Sequence, residues 1–212
     1  MTNKRAIVLD FDGTLVDTMD GFADVAAGVI HRRFGKETEW ARSEYLRTSG
    51  IPFRQQLEVM FPDDPRNDDA SDEFEQGKLH GFFSETFSDE TVDTIGRLRA
   101  RGYLVIVSSN NFQELVDRFV ERADGVSFDL VLGARENFFK GPDHFNHILE
   151  VMKVNRNQMV FVGDSLKDAE RAVSSGVDFV GKLGTFTRRD FESSFPGVRT
   201  IGAISQLTGL FK

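Results

Sequence analysis

Asp10 and Asp12 are the residues in this chain whose types and spacing speak most directly of chemistry. They fall in the string Ala6-Ile7-Val8-Leu9-Asp10-Phe11-Asp12-Gly13-Thr14-Leu15-Val16-Asp17-Thr18, where an apolar run gives way to two acids separated by a single residue. A strand alternates its side chains, so both carboxylates leave the end of one strand on the same side. Like charges that close repel unless a proton or a cation intervenes. The pair therefore calls for a metal and for a substrate that needs one. The plain alternative is a surface turn with two solvated acids. The aliphatic run before the pair and Gly-Thr-Leu-Val-Asp-Thr after it argue against that.

Three further apolar runs end in polar residues of a matching kind. Ser108-Ser109-Asn110 offers hydroxyl, amide and backbone donors that suit phosphate oxygens, although the same residues serve equally well as a helix N-cap. Lys140 lies in Phe138-Phe139-Lys140-Gly141-Pro142, just ahead of a helical pattern. Asp164 closes Val160-Phe161-Val162-Gly163-Asp164, and Asp168 follows one helical turn later. Asp164 is placed to bind a cation, and Asp168 to orient its waters or Lys140. Capping by Asp164 or Ser165 is the bland reading of the same residues.

The elements that must position these residues alternate. Nearly continuous apolar runs at 5–11, 103–107, 128–132, 159–162 and 177–180 read as strands buried on both faces. Helical stripes cover 91–101, 112–120, 145–152 and 167–175, with a short closing helix over 203–210. Such alternation specifies an α/β fold, a Rossmann-like parallel sheet with helices on both faces. The stretch between the first strand and the rest differs. It shows helical patterns near 22–34, 39–47, 53–61 and 70–87 and no convincing strand. The expected organisation is therefore a core domain over 1–16 and 88–212 with an all-helical cap inserted over 17–87.

Bulk composition narrows the function. At 212 residues there is room for one medium domain with an insert. A net charge of −8 argues against nucleic acid as a partner, because neutralising phosphates needs surplus Lys and Arg. The absence of cysteine excludes disulfides, thiolate catalysis and zinc–thiolate sites. No apolar run reaches the length of a membrane span, and the N-terminus runs straight into a strand, so a cytoplasmic protein without a signal peptide is expected.

Taken in order and placed at strand ends, these residues resemble the haloacid dehalogenase-like phosphohydrolase superfamily across essentially the whole chain. Asp10-Phe11-Asp12-Gly13-Thr14 is similar to its first motif, Ser108 to the second, Lys140 to the third, and Gly163-Asp164-Ser165-Leu166-Lys167-Asp168 to the fourth. The cap between the first and second motifs is similar to that of the phosphoglycolate phosphatase-like and β-phosphoglucomutase-like branch. The resemblance, with the chemistry of the side chains, implies Asp10 as nucleophile and Asp12 as the proton carrier. It implies Mg²⁺ held by Asp10, the main-chain carbonyl of Asp12, and Asp164, with Asp168 behind them. Ser108, Ser109, Asn110 and Lys140 are then the phosphate-gripping residues. Arg47 and Arg54 flank Gly50-Ile51-Pro52 in the cap, a loop that helps select the leaving group in relatives. The implied partner is a small phosphorylated metabolite, handled by a monomer or homodimer.

Departures from the family pattern sharpen the expectation. Asp12 is missing in dehalogenase relatives, so its presence favours phosphoryl chemistry. Mutase relatives usually carry histidine where Phe22 stands, which disfavours the alternative of a sugar-phosphate mutase or phosphotransferase. Neither Lys36 nor Lys78 sits in a setting for Schiff-base chemistry. The third motif usually reads Lys-Pro; here Gly141 intervenes before Pro142. A non-catalytic phosphometabolite-binding protein is a further alternative that no residue favours. Gly176 to Lys182 mimics a phosphate-binding loop, but its interior is strand-like and Leu183 replaces the Ser or Thr. His144 and His147, three apart on one helix, are expected on a solvated helix surface rather than on a metal.

Overall fold

A computed structural model describes residues 3–211. The chain divides into two compact units, one made of Met1–Val16 and Thr86–Lys212, the other of Asp17–Glu85.

The second unit is all helical, with α1 (Met19–Phe34), α2 (Thr38–Arg47), α3 (Phe53–Met60) and α4 (Asn67–Ser84). The inward stripe of α1 buries Phe22, Ala23, Ala26, Ala27, Val29 and Ile30. Gly35 ends it in a left-handed turn (φ 68°) and donates its N–H to the His31 carbonyl. The core of the unit is aromatic: Phe53 packs on Phe74 at 4.2 Å with the rings tilted, and Tyr45 and Phe22 close on Phe74 at 5.6 and 6.3 Å. Lys78 is buried beside these rings with its ammonium 2.6 Å from Glu75, which gives it an ordinary ion-pairing role. Helix α4 starts three residues before the expected 70, because the Asn67 amide bonds the Phe61 carbonyl at 2.8 Å and extends the first turn.

The other unit is a six-stranded parallel sheet of β1 (Ala6–Leu9), β2 (Leu104–Phe112), β3 (Leu130–Ala134), β4 (Met159–Gly163), β5 (Asp178–Lys182) and β6 (Arg199–Ile201), in the order β3-β2-β1-β4-β5-β6. Around it run α5 (Asp89–Ala100), α6 (Gln113–Glu121), α7 (Pro142–Met152), α8 (Leu166–Ser174), α9 (Arg188–Ser194) and the single turn α10 (Leu207–Leu210). This is the Rossmann-like α/β architecture that the alternation specified. β1 and β4 are buried at every residue, as strands with helices on both faces must be. Leu9 pairs with Val107 on one side and Val162 on the other, so the residues that follow Leu9, Val107 and Val162 stand at one level.

Several boundaries differ from expectation. β2 runs five residues past 107, and its register with β3 shifts between Ser108 and Phe112. α9 and β6 carry too little apolar signal to be seen in sequence. α9 buries one side chain, Phe191, and β6 one, Ile201. α9 did have a local mark: Thr187 and Asp190 form a reciprocal capping box. The closing helix is a 3-10 turn at Ile204–Gln206 followed by one α turn. The 176–182 segment is β5 and its approach, not a phosphate loop, and a Cβ on Gly181 would stand 3.2 Å from the Phe191 ring. Among the described residues no helix is long and apolar enough to cross a membrane.

Candidate active site

The strand order reverses at β1, between β2 and β4, and crevices for ligands open there at the carboxyl ends of the strands. Asp10 follows β1 and Asp164 follows β4. Both are buried, at 4% and 3% exposure. Asp10 accepts a 2.7 Å hydrogen bond from the Phe11 N–H, which fixes its carboxylate at the strand end. Gly13, at φ 69°, lets the chain turn back immediately, and its N–H reaches the Val16 carbonyl at 2.8 Å.

Lys140 ties the acids together. Its ammonium lies 2.8 Å from Asp10 Oδ1 and 2.9 Å from Asp168 Oδ1, with all three side chains buried. The inserted Gly141 makes this possible: at φ 119° it takes a conformation open to glycine, and Pro142 then starts α7 at its first position. Asp168 sits in the first turn of α8, where its Oδ2 accepts from the Ser165 hydroxyl at 2.7 Å and Arg171 stands 3.5 Å from Oδ1. Gly163 is needed for that approach, since a Cβ there would lie 2.6 Å from Asp168 Oδ2.

These contacts divide the three carboxylates electrostatically. Burial raises the Asp10 carboxyl well above the usual range; Lys140 opposes this, while Asp168 and Asp164 add to it. Asp164 is pushed up to about 7, by burial first and then by Asp168, against a hydrogen bond from Thr185. Asp168 stays below its ordinary value, because Lys140 and Arg171 outweigh its burial. Lys140 is raised, the attraction of Asp10 and Asp168 exceeding its desolvation.

Asp10, Asp164 and Asp168 each offer an oxygen within 4.8 Å of the others. Lys140 and, at longer range, Arg171 stand against three buried carboxylates, which leaves excess negative charge that protons or a cation must offset. The donors are all hard oxygens, the set that suits Mg²⁺. The residues thus fit a divalent cation. Asp10 and Asp164 would be the ones with room to hold it, because both oxygens of Asp168 already have protein partners.

This arrangement predicts how the cation and pH interact. A raised carboxyl pKa means that the folded chain holds a proton the unfolded chain has released. The stability Asp164 contributes in the metal-free protein is therefore present at low pH and lost as pH rises from 3.8 through about 7. Mg²⁺ held at Asp164 would need the ionised form and so compete with that proton. Its apparent affinity should fall about a hundredfold between pH 8 and pH 5. Thermal melts should show Mg²⁺ raising the midpoint strongly at pH 8 and little at pH 5. An equal rise at both would contradict the assignment of Asp164.

The remaining sequence candidates are placed as follows. Asp12 is half-buried, and its Oδ2 accepts a 2.7 Å hydrogen bond from Asn111 Nδ2. Ser108 is fully buried, with its hydroxyl 2.8 Å from His144 Nδ1. Ser109 is also buried and accepts from the Asn111 N–H at 3.0 Å, a structural turn contact. Asn110 is half-buried; Asn111, not Asn110, reaches the Asp12 carboxylate. Arg47 and Arg54 belong to the helical unit, where Arg47 pairs with Glu44 at 2.6 Å and Arg54 with Glu58 at 2.7 Å and with Asp68.

Four residues escaped the sequence reading. Asn111 is turned inward by the register shift in β2, which no local pattern announces. Thr185 donates to Asp164 Oδ2 from the loop after β5, and Arg171 reaches Asp168 from one helical turn on. His144 was expected on a solvated surface and is instead completely buried. α7 turns that side of its first turn, with Phe145, into the sheet, and only His147 is half-exposed.

Fold and site together define a doubly wound α/β protein with a lysine-bridged carboxylate centre at its switch point. The haloacid dehalogenase-like hydrolase family model matches residues 7–182, and the chain belongs to that family. It is 27% identical to a haloacid dehalogenase-like hydrolase domain-containing protein of Arabidopsis thaliana, over 79% of this chain and 65% of that one, so it spans just under two thirds of that relative. It is also 27% identical to a phosphoglycolate phosphatase of Shigella boydii, over 84% of this chain and 80% of the relative. A haloacid dehalogenase-like family hydrolase of Streptococcus pneumoniae superposes with a TM-score of 0.82 at 16% identity over the whole of both chains, which shows the shared fold.

Proposed function

We propose that this chain is a Mg²⁺-dependent phosphomonoesterase that hydrolyses a small phosphorylated metabolite, of the phosphoglycolate or sugar-phosphate kind, through a phosphoryl group carried on Asp10. The observation that carries the reading is the contact of Lys140 with both Asp10 and Asp168 beside the Asp164 carboxylate. A buried acid held in place at a strand end, with a fixed cation beside it, suits nucleophilic attack on an anionic phosphorus centre. The match to phosphoglycolate phosphatases supports the substrate class.

The steps follow from the side chains. Asp10 attacks phosphorus, forming a new P–O bond as the bond to the ester oxygen breaks. Asp12, two residues on, gives its proton to that leaving oxygen. Water then attacks the same phosphorus, the bond to Asp10 breaks, and Asp12 takes back a proton from the water. The Asn111 amide holds the Asp12 carboxylate between the two proton transfers. Lys140 and the Ser108 hydroxyl grip phosphoryl oxygens. Bound Mg²⁺, held by Asp10, Asp164 and the Asp12 carbonyl, would neutralise charge between the phosphoryl group and the carboxylates. Phe22 argues for hydrolysis over transfer to a second sugar hydroxyl, since it is buried against Phe74 and Phe82 and carries no proton.

Hydrolysis of p-nitrophenyl phosphate, followed by a screen of phosphorylated metabolites, tests the proposal. Turnover should require Mg²⁺ and stop with EDTA, and phosphate release should equal alcohol release. Metal-independent turnover, or phosphate appearing on a second sugar, would overturn it.

A further inference from the structure

His144 is a buried titratable group beside the site that the proposed reaction leaves without a task. Its side chain is fully inaccessible, it stands in the first turn of α7, and its ring lies 4.7 Å from that of Phe138. Nδ1 is 2.8 Å from Ser108 Oγ, within β2, where the register with β3 begins to shift. The ring is neutral at ordinary pH, because burial and the nearby Lys140 charge depress it to about 4 despite the Gly133 backbone.

A serine hydroxyl turns freely about its Cβ–Oγ bond and has one proton to give. Aiming that proton at a phosphoryl oxygen requires something to hold Oγ. His144 is suited to this. Its own ring is immobilised by packing, and with its proton on Nδ1 the neutral imidazole donates to Oγ, which leaves the serine's own proton free for a phosphoryl oxygen. The chain also links the two phosphate-gripping groups. Lys140 and His144 are four residues apart, on either side of Gly141 and Pro142, so one turn sets the position of the ammonium and of the ring.

We propose that His144 is a positioning residue that orients the Ser108 hydroxyl toward the phosphoryl group and couples its placement to that of Lys140. This rests on the phosphatase reading only in that Ser108 faces phosphate. His144 touches no reacting atom, so its effect must travel through Ser108. A merely structural histidine, present to satisfy a buried serine, would alter stability and leave phosphate binding alone.

A double-mutant cycle on the intact chain separates these. Inorganic phosphate is the probe, its affinity read by calorimetry with Mg²⁺ present and by competitive inhibition of p-nitrophenyl phosphate hydrolysis. His144→Phe, which keeps the ring bulk, should weaken phosphate binding about tenfold. His144→Asn, whose amide places a polar atom where Nδ1 stood, should restore most of the loss. In a Ser108→Ala background, His144→Phe should change phosphate affinity by less than about twofold. Equal losses with and without Ser108, or unchanged affinity in His144→Phe with only a lowered melting temperature, would overturn the proposal. The two readings fail separately: a wild type that binds phosphate in a His144-dependent way yet hydrolyses no ester refutes the phosphatase and keeps the positioning role. A wild type that binds no phosphate refutes both.

Discussion

Asp10→Asn is expected to lower turnover by about 10⁴-fold or more while leaving the protein at least as stable as the wild type. The activity loss follows from removing the attacking oxygen's charge. An amide cannot form the phosphoryl bond that the proposed reaction requires. The stability argument is separate. Asp10 is a buried carboxyl raised above its ordinary range by burial and by two acidic neighbours, so ionising it costs the fold free energy. The amide removes that cost. Its oxygen can still accept from the Phe11 N–H, as Asp10 Oδ1 does now at 2.7 Å, and Lys140 keeps Asp168 at 2.9 Å. The melting temperature at pH 8 without Mg²⁺ should therefore hold or rise. The sign can be worked out. A carboxyl whose folded pKa is raised contributes stability at low pH and loses it as pH rises through that value, so the variant's advantage should grow from pH 5 to pH 8. Turnover assays paired with melts across that range check both halves. Turnover within tenfold of wild type would remove Asp10 as the nucleophile, whatever the melts show.

What sequence reasoning reached, and what it missed, divides by the range over which each signal acts. The Asp10, Asp12 and Asp164 placements rest on local rules: apolar strands buried on both faces, alternation along a strand, and ligand sites at the carboxyl ends. Once the alternation specified a parallel sheet, those residues had to converge, and the structure places Asp10, Lys140, Asp164 and Asp168 together. Asn111 depends on a register shift that arises where β2 meets β3, which the pattern within β2 does not contain. Thr185 reaches Asp164 across 21 positions of chain and His144 meets Ser108 across 36, contacts that only tertiary packing makes. His144 also misleads by composition. Its helix carries Asp143, Asn146 and His147 around it, which suggests a solvated face, yet its backbone direction places residue 144 beside Phe145 in the interior. The missed α9 and β6 are short and bury one side chain each, below what periodicity can detect.

Lys140→Met carries the second large effect, and there the loss should fall on stability as well as on turnover. The substitution nearly keeps the volume and removes one charge from among three buried carboxylates. Breaking a buried ion pair from one side costs about 3–5 kcal/mol, because the partner charge is left without compensation. Here two partners are left, Asp10 and Asp168, the latter held below its ordinary pKa chiefly by Lys140 against the cost of burial. Those acids can escape the cost by taking up protons, so the penalty must depend on pH. Without Lys140 their folded pKa values rise. The Asp168 part of the penalty should be small near pH 4 and grow by about 1.4 kcal/mol per pH unit as pH rises toward the value it takes in the variant, whereas Asp10, already raised in the wild type, adds its own slope only above its wild-type value. Lys140 itself adds no slope in this range, since its pKa is raised from 10.5 and its contribution is lost only above that value. Mg²⁺ should recover part of the stability at pH 8, because a divalent cation at Asp10 and Asp164 offsets the same excess charge. It should not recover turnover, which needs a cation on the phosphoryl oxygens as well, and kcat should stay about 10²-fold or more below wild type. Denaturant melts at pH 5 and pH 8, with and without Mg²⁺, read the two effects apart. A penalty independent of pH would mean that Lys140 stabilises the fold by packing, and that its contacts with Asp10 and Asp168 carry little of the charge balance at this centre.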